Sequence, residues 1–190
     1  MSPLETLATW LNEARAAGAP EPEAMALATA SADGHPSVRV VLCRGIDDHG
    51  IVFFTSYDSR KGRELASHPH AAAAFYWTRT RHQVRVEGEV AILPAAASDA
   101  YFRSRPRGSQ LSASVSAQSA HIDSLDGLRE GRRRLDGALH GGQVPRPPNW
   151  GGYRLRAASV ELWTSGEDRL HDRVRYELSG GVWVAHRLAP

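Results

Sequence analysis

The spacing of hydrophobic residues along the chain predicts one amphipathic helix followed by a series of short strands. In the opening segment, Ser2 to Ala17, the leucines recur at helical spacing, and Ser2 with Glu5 forms the Ser-x-x-Glu pattern of a capping box. From Met25 onward the pattern changes to short apolar runs separated by turn residues, which is typical of strands. The sequence therefore predicts an N-terminal helix over residues 1–17, ahead of a strand-rich body.

Strands outnumber helices in the rest of the chain. We predict strands over residues 24–30, 37–43, 51–56, 71–77, 83–93, 153–163, 169–178 and 182–188. Helices are predicted over residues 61–67, 94–103 and 124–139, whereas the polar, small-residue stretch 108–120 carries no predicted element. This order favours a mainly β, α+β fold class, an antiparallel barrel or sheet with flanking helices, over a βαβ repeat. No internal repeat or boundary divides the sequence, so we expect one domain over residues 1–190.

Composition and charge argue against several classes of protein. With 190 residues, 42% hydrophobic and 23% charged, the chain suits one soluble domain. No apolar run approaches the roughly 20 residues of a membrane span, and the N-terminus lacks signal-peptide features, so we expect a cytoplasmic protein without a membrane partner. The net charge of +2 gives no reason to expect a nucleic-acid partner. The single cysteine, Cys43, argues against a disulfide framework and a cysteine-rich zinc site, and no metal is expected.

Lysine is almost absent, and its one position is informative. Of the 23 basic residues, 22 are arginine, so Lys61 departs from a bias that runs through the whole chain. Arg60 and Lys61 lie at the start of the short helix predicted after the third strand. Main-chain N–H groups, two cationic side chains and nearby hydroxyls suit a phosphate there, although a solvated basic turn would give the same pattern.

Two further clusters have the chemistry of anion-binding sites. Tyr101 and Arg105 share a helix face, and Pro106 turns the chain so that Ser109 approaches the same point. An arginine, a phenol and a hydroxyl together suit a phosphate, and an ordinary helix C-terminus is the alternative interpretation.

The segment 169–175 is the third cluster. If it is a strand, alternation places Arg169, His171, Arg173 and Arg175 on one face, about 7 Å apart. An edge strand kept soluble by its charge would look the same. Three anion-binding clusters without an evident acid, base or nucleophile set indicate a phosphorylated ligand whose chemistry is supplied by a cofactor.

Motifs at these same clusters identify a known family. From Met25 to Pro190 the chain resembles the pyridoxamine 5′-phosphate oxidase family, also called pyridoxine 5′-phosphate oxidase. The motifs that carry the resemblance are, in chain order, Arg39-Val40-Val41-Leu42, Phe53-Phe54-Thr55, Ser59-Arg60-Lys61, Gln83-Val84, Tyr101-Phe102-x-Ser104-Arg105-Pro106-Arg107-x-Ser109-Gln110, Gln118-Ser119, Trp150-Gly151-Gly152-Tyr153, Glu161-Leu162-Trp163, Arg169-Leu170-His171-Asp172-Arg173 and Arg187-Leu188-Ala189-Pro190.

The resemblance implies an FMN-binding split barrel that works as a homodimer, with FMN held between the subunits. The residues that it assigns to FMN are Arg39, Val40, Val41, Leu42, Phe54, Thr55, Arg60, Lys61, Gln83, Gln118, Ser119, Trp163 and Arg173. It assigns the phosphate of a pyridine substrate to Tyr101, Arg105 and Ser109, with Arg44 at a position expected to touch the same phosphate. Arg169 and His171 are the implied catalytic residues and would lie against the pyridine ring.

The implied reaction is oxidation of pyridoxine 5′-phosphate or pyridoxamine 5′-phosphate to pyridoxal 5′-phosphate. Molecular oxygen would accept the electrons and give hydrogen peroxide, and the amine substrate would also release ammonia. An absent catalytic triad is expected for such a protein, since the flavin performs the redox step.

The chain departs from the family pattern at three places. Arg44 stands where the family usually has a lysine, and arginine is longer and forked. Ser112-Ala113-Ser114 replaces Gly-Ala-Trp and removes a large aromatic side chain. The family's N-terminal lid segment, which covers bound substrate, is expected to be absent.

Two alternatives remain beside the vitamin B6 oxidase. One is a related FMN-dependent tailoring oxidase of secondary metabolism, of the phenazine-forming type. The other is a non-catalytic protein that binds flavin or pyridoxal phosphate. The substrate-phosphate residues favour the oxidase of vitamin B6.

Overall fold

The structure, a computed structural model, describes residues 1–190 as an antiparallel sheet with five helices around it. The strands are β1 Ala24–Ala30, β2 Pro36–Leu42, β3 Gly45–Asp47, β4 Gly50–Ser56, β5 His70–Trp77, β6 His82–Ile92, β7 Trp150–Thr164, β8 Asp172–Ser179 and β9 Val182–Arg187. The helices are α1 Pro3–Ala16, α2 Arg60–Ser67, α3 Ala95–Ser104, α4 Arg107–Val115 and α5 Asp126–Leu139. None of these helices has both the length and the apolar character needed to cross a membrane.

The longest strand of the sheet, β7, pairs with different strands along its two halves. The main strand order of the sheet is β2-β1-β5-β6-β7-β4-β3. In addition, β8 pairs with β7, and β9 pairs with β8. The first half of β7, from Trp150 to Arg156, pairs with β4, whereas its second half, from Ser159 to Thr164, pairs with β8. A β-bulge at Glu87 and Gly88 shifts the register of β6 against β7 near the same point, and bulges bend strands. The fold is thus an antiparallel split barrel with flanking helices. The sequence pattern predicted an antiparallel barrel or sheet, and the family resemblance implied the split barrel.

Helix α1 closes the core of this barrel. Leu4, Leu7 and Leu11 are buried among the inward-facing residues of the strands. Burial of each leucine stabilises the fold by about 1.5–3 kcal/mol, so the amphipathic stripe fixes where the helix packs. The capping box is present: the Glu5 N–H donates to Ser2 Oγ at 3.1 Å, and the Ser2 N–H donates to Glu5 Oε2 at 2.5 Å.

A second, smaller cluster holds α3 and α4 on the side of the barrel. It consists of Phe102, Leu111, Val144 and Trp150, all buried. Helix α4 begins at Arg107 and otherwise lies in the stretch 108–120, to which the sequence pattern assigned no element. Pro106, with φ −53°, directs the chain into the helix, and α4 buries only Leu111, so it shows no apolar periodicity for sequence patterns to detect.

The segment before β8 also differs from its prediction. β8 begins at Asp172 rather than at residue 169, and Arg169 lies in a 3-10 turn with φ +66°. The single face proposed for Arg169, His171, Arg173 and Arg175 is therefore wrong at its first two positions. The chain turns back here because Gly166 packs against Leu170: a Cβ on Gly166 would lie 1.9 Å from the Leu170 carbonyl oxygen. The Gly166 N–H donates to His171 Nδ1 at 3.2 Å, which closes the turn.

Helix α2 lies directly against the turn that precedes it, and Gly62 permits this approach. A Cβ on Gly62 would lie 2.1 Å from the Tyr57 carbonyl oxygen, a main-chain atom that cannot move independently. The Gly62 N–H donates to Ser59 Oγ, so the helix begins at a fixed position after β4. The glycine thereby sets the position of Arg60 and Lys61.

We expect Gly62→Ala to lower the free energy of unfolding by about 1–3 kcal/mol, because the added methyl group overpacks against the main chain. The matched control is Gly131→Ala in the middle of α5, where the new Cβ would meet Val115 at an ordinary 3.9 Å. That control should gain about 0.5–1 kcal/mol from helix propensity. Chemical denaturation of both variants measures the difference, and equal stability of Gly62→Ala and the wild type would contradict the packing argument.

Candidate active site

One cavity, with a volume of about 860 Å³, lies where β2, β4 and α2 meet the corner between α3 and α4. It brings together most of the residues that the resemblance assigned to the cofactor and four of those assigned to the substrate. Those it collects are Arg39, Val40, Val41, Leu42, Arg44, Phe54, Thr55, Arg60, Lys61, Tyr101, Arg105, Ser109, Gln118 and Ser119.

Lys61 is a buried cation at one end of this cavity. Its ammonium group donates to Thr55 Oγ1 at 3.1 Å, Ser59 Oγ at 3.2 Å and Gln118 Oε1 at 3.3 Å. All three acceptors are neutral, and the residue is only 6% exposed. Burial lowers the pKa of Lys61 to about 8, the positive charge of Arg39 acts in the same direction, and Glu64 opposes both. A buried ammonium without a carboxylate partner is costly, so this end of the cavity favours a ligand with negative charge.

Local structure explains why Lys61 points here. Ser59 caps α2, with its side chain accepting from the Gly62 N–H, and this places Lys61 in the first turn of the helix. The segment between α4 and α5 folds across the same turn, where the Arg60 N–H donates to Ser119 Oγ at 3.2 Å. Thr55 also donates to Gln118 at 2.9 Å, which joins β4 to that segment.

Arg39 and Arg60 flank Lys61, and both contact one buried carboxylate. Arg39 Nη2 lies 3.1 Å from Glu64 Oε2, and Arg60 Nε lies 2.9 Å from Glu64 Oε1. Burial alone would raise the pKa of Glu64, but hydrogen bonds from Thr29, Ser37, Arg60 and Arg39 outweigh it and hold the pKa at about 2. Glu64 is therefore ionised at every working pH.

Arg105 is a second cation without an anionic partner. Its guanidinium carbon lies 4.6 Å from the centre of the Trp150 ring and 5.7 Å from that of Phe102. Its Nη1 is buried and has no hydrogen-bond partner, and no carboxylate pairs with the side chain. Burial lowers the pKa of Arg105 from its ordinary value, opposed by Tyr101. The aromatic faces hold the guanidinium in place and leave its donors free for a ligand.

The neighbours of Arg105 complete this second end of the cavity. Tyr101, on α3, stacks on Phe54 of β4 with ring centres 3.9 Å apart. Ser109 comes from the first turn of α4, and Arg44 follows β2 and is exposed. Arg107, by contrast, turns away from the cavity and pairs with Asp136.

Five predicted site residues do not reach the cavity of their own chain. Gln83, Trp163 and Arg173 lie on β6, β7 and β8, whereas Arg169 and His171 lie in the turn between β7 and β8; the five are called here the β6–β8 group. Gln83 pairs with Trp163 across the sheet, Trp163 pairs with Arg173, and the rings of Trp163 and His171 are 4.7 Å apart. A single chain therefore presents two separate clusters.

Sequence reasoning missed two residues of importance to the cavity. Trp150 was named only as part of a motif and was given no role in the site, yet it lines the cavity beneath Arg105. Glu64 was not singled out, because a glutamate in a short helix is ordinarily solvent-exposed. Its spacing from Arg60, four residues along the helix, was the one signal available.

Models of known families match the chain over most of its length. The model described as pyridoxamine 5′-phosphate oxidase matches residues 11–129, and the one described as pyridoxine 5′-phosphate oxidase C-terminal dimerisation region matches residues 150–190. The chain belongs to the pyridoxamine 5′-phosphate oxidase family. It is an FMN-dependent oxidoreductase, and its C-terminal part is the dimerisation region of the family.

Individual relatives of the oxidase agree with this assignment. A pyridoxine/pyridoxamine 5′-phosphate oxidase of Burkholderia multivorans is 50% identical over 184 residues, which cover 95% of this chain and 86% of the relative. Its counterpart in a Cyanothece species is 47% identical over 189 residues, covering 100% and 89% of the two chains. Among solved structures, PhzG from Burkholderia lata, in complex with tetrahydrophenazine-1-carboxylic acid, has a TM-score of 0.95 and 38% identity, covering 100% of this chain and 93% of that one.

The residues at the Lys61 end of the oxidase cavity fit the phosphate of FMN. The ammonium has only neutral acceptors, two arginines flank it, and it lies in the first turn of α2, where main-chain N–H groups favour an anion. Phe54 and the edge strand β2, with Val40 and Leu42 exposed, supply apolar surface beside these cations. A phosphorylated, planar cofactor requires both kinds of surface.

We expect the preference of the apo-oxidase for FMN over riboflavin to depend on the protonation of Lys61. Its ammonium is lost as the pH rises through about 8, so the preference should be level near about pH 7, above the second ionisation of the phosphate, and decline above pH 8, by up to tenfold per pH unit. Flavin fluorescence titrations between pH 6 and 9.5 measure the two dissociation constants. Lys61→Met should show a smaller preference at pH 7 and no such decline, whereas an unchanged wild-type preference up to pH 9.5 would contradict the assignment of Lys61.

Proposed function

We propose that the protein oxidises pyridoxine 5′-phosphate or pyridoxamine 5′-phosphate to pyridoxal 5′-phosphate, with FMN as cofactor and molecular oxygen as electron acceptor. Pyridoxine phosphate and O2 give pyridoxal phosphate and H2O2. Pyridoxamine phosphate also consumes one water and releases ammonia. The observation that carries the proposal is that one cavity holds two cations, Lys61 and Arg105, that have no carboxylate partner.

Two such cations match the two phosphates that this reaction brings together. Lys61 and Arg60 bind the flavin phosphate, and Arg39 adds positive charge beside them. Arg105, whose Nη1 has no partner within the chain, donates to the phosphate of the pyridine substrate.

Hydroxyl groups and a further arginine complete the substrate site. Tyr101 and Ser109 donate to the same phosphate as Arg105, and Arg44 reaches it from the end of β2. Binding of the phosphate fixes the orientation of the substrate. Fixing this orientation is the main contribution of the protein to a reaction of this kind.

The β6–β8 group supplies the other wall of the site from the second subunit of a homodimer. Trp163, Arg169, His171 and Arg173 all fall within residues 150–190, which match the dimerisation region, and none of them reaches the cavity of its own chain. FMN, when bound at this interface, supplies a two-electron acceptor for the hydride that leaves the C4′ carbon of the substrate. Arg169 orients the C4′ substituent, and His171 holds the pyridine ring or a proton at that substituent.

Loading the purified protein with FMN and supplying each B6 substrate tests the proposal. We expect one O2 consumed and one H2O2 formed per pyridoxal phosphate, with ammonia from pyridoxamine phosphate alone. Oxygen electrode readings, pyridoxal phosphate absorbance and an ammonia assay measure these products. Absence of pyridoxal phosphate from both substrates would refute the proposed activity.

Arg105→Ala should separate substrate binding from cofactor binding. Loss of a charged contact to the substrate phosphate should raise KM by about 10- to 100-fold, and the protein should retain its yellow flavin. Steady-state kinetics and the FMN content after gel filtration measure the two effects. Arg103→Ala is the control, since Arg103 lies in the last turn of α3, just before Arg105, is exposed and does not line the cavity. Loss of FMN from Arg105→Ala would show that Arg105 serves the cofactor instead.

A tricyclic substrate is the second candidate, and a second cavity favours it. This cavity, of about 520 Å³, shares Arg105, Ser109 and Trp150 with the first and is also lined by the small residues Ser112 and Ala113. A related structure holds tetrahydrophenazine-1-carboxylic acid, whose carboxylate is the kind of group that an arginine such as Arg105 binds. A higher kcat/KM for that compound than for either B6 phosphate would establish the second candidate. Binding of a B6 phosphate without oxygen consumption would instead indicate a non-catalytic binding protein.

A further inference from the structure

Glu64 is a buried carboxylate that joins three elements of the fold at the edge of the cavity. It lies on α2, is 6% exposed, and is contacted by Thr29 of β1, Ser37 and Arg39 of β2, and Arg60 of its own helix. These five residues are called here the Glu64 cluster. Glu64 itself does not line the cavity, whereas Ser37, Arg39 and Arg60 do.

The two carboxylate oxygens have different partners. Oε2 accepts from the hydroxyls of Thr29 and Ser37 and from Arg39 Nη2, all of which come from the sheet. Oε1 accepts from Arg60 Nε at 2.9 Å. Glu64 thereby connects the helix of Lys61 to β1 and to β2, the strand of Arg39.

The way in which Arg60 is held leaves its outer donors available. Its bond to Glu64 uses Nε, so both Nη groups remain free, and the side chain is 61% exposed. Without that bond, an exposed arginine would sample many rotamers and lose conformational entropy on binding an anion. With it, the guanidinium is oriented before the ligand arrives.

Arg39 has the complementary role. Its Nη groups donate to Leu27 O, Thr29 Oγ1 and Ser37 Oγ as well as to Glu64, so they are occupied by the protein. Arg39 therefore holds Glu64 in place and contributes positive charge beside Lys61. It has no pair of free Nη donors with which to bind the phosphate. Thr29, which is 4% exposed and does not line the cavity, supports both Glu64 and Arg39.

The net charge of Lys61 and its charged neighbours also balances the charge of a phosphate monoester. Three cations, Arg39, Arg60 and Lys61, and one carboxylate, Glu64, leave two formal positive charges, and such a phosphate carries about −1.5 to −2 at pH 7. Removal of Glu64 would increase the attraction of the site for an anion and, at the same time, release Arg60. The first effect would strengthen phosphate binding and the second would weaken it. The phosphate affinity of a Glu64 variant therefore shows which effect is larger.

We propose that Glu64 is a positioning residue for recognition of the flavin phosphate, acting through Arg60 and with Arg39, Thr29 and Ser37 as its supports. The inference rests on the proposed placement of that phosphate beside Lys61. The benefit of orienting Arg60 exceeds the repulsion between Glu64 and the phosphate, because two arginines already neutralise the carboxylate. An amide in its place would also leave buried donors of the cluster without an acceptor.

The test compares FMN with riboflavin, which lacks the phosphate, on flavin-free protein. Glu64→Gln should raise the Kd for FMN by about tenfold and leave the Kd for riboflavin unchanged. Thr29→Val, which keeps the shape of the side chain, should have the same selective effect at about threefold, and it carries the test if Glu64→Gln fails to fold. Fluorescence titration gives both constants, and thermal unfolding of the apo-protein reports folding.

Asp47→Asn is the matched control. It removes an ion pair with Arg154 that lies away from the cavity, so the ratio of the two dissociation constants should not change. Equal or tighter FMN binding by Glu64→Gln would overturn the proposal, and equal weakening of FMN and riboflavin would show that the role is only structural.

Lys61→Met shows whether a negative result concerns the role of Glu64 or the placement of the flavin phosphate beside Lys61. If that variant loses its preference for FMN while Glu64→Gln keeps it, only the positioning role of Glu64 is refuted. If Lys61→Met also keeps the preference, the phosphate does not lie beside Lys61, and both the placement and the inference fail.

Discussion

The site depends on positive charge that is buried without an internal counter-charge. Lys61 is buried, Arg105 is half-buried with its Nη1 enclosed, and neither has a carboxylate partner. Burial of such groups costs free energy that a folded protein recovers only when a ligand supplies the missing charge. Much of the surrounding structure serves to hold these two cations in place: the capped start of α2, the segment that carries Gln118 and Ser119, and the corner between α3 and α4.

The two ends of the cavity hold their cations by different physical means. At one end, neutral hydroxyl and amide groups contact Lys61, and the carboxylate of Glu64 organises the neighbouring arginines. At the other, Arg105 lies over aromatic rings that neither neutralise it nor occupy its donors. The split of the sheet along β7 separates this cavity from the β6–β8 group, and the proposed function assigns that group to the site of the second subunit of the dimer.

Much of the fold was predictable because it follows from local patterns. The capping box of α1 and the alternating strands are encoded by neighbouring residues, and the structure confirms them. The structure also brings Arg39, Lys61 and Arg105 into one cavity, as the motifs implied. Helix α4 and the turn before β8 were missed, since a single buried leucine and a close glycine contact fix them. The burial of Glu64 was equally hidden, because it depends on hydroxyls that lie 27 and 35 residues away along the chain.

A crystal structure of the protein with FMN and pyridoxal 5′-phosphate, grown without inorganic phosphate, tests whether Lys61 and Arg105 bind the two phosphates. We expect two phosphate groups in each cavity: that of FMN within hydrogen-bond distance of Lys61, and that of pyridoxal phosphate within the same distance of Arg105. His171 of the second subunit should lie against the pyridine ring. A flavin phosphate bound to Arg105, or a pyridoxal phosphate that leaves Arg105 without a partner, would contradict the account.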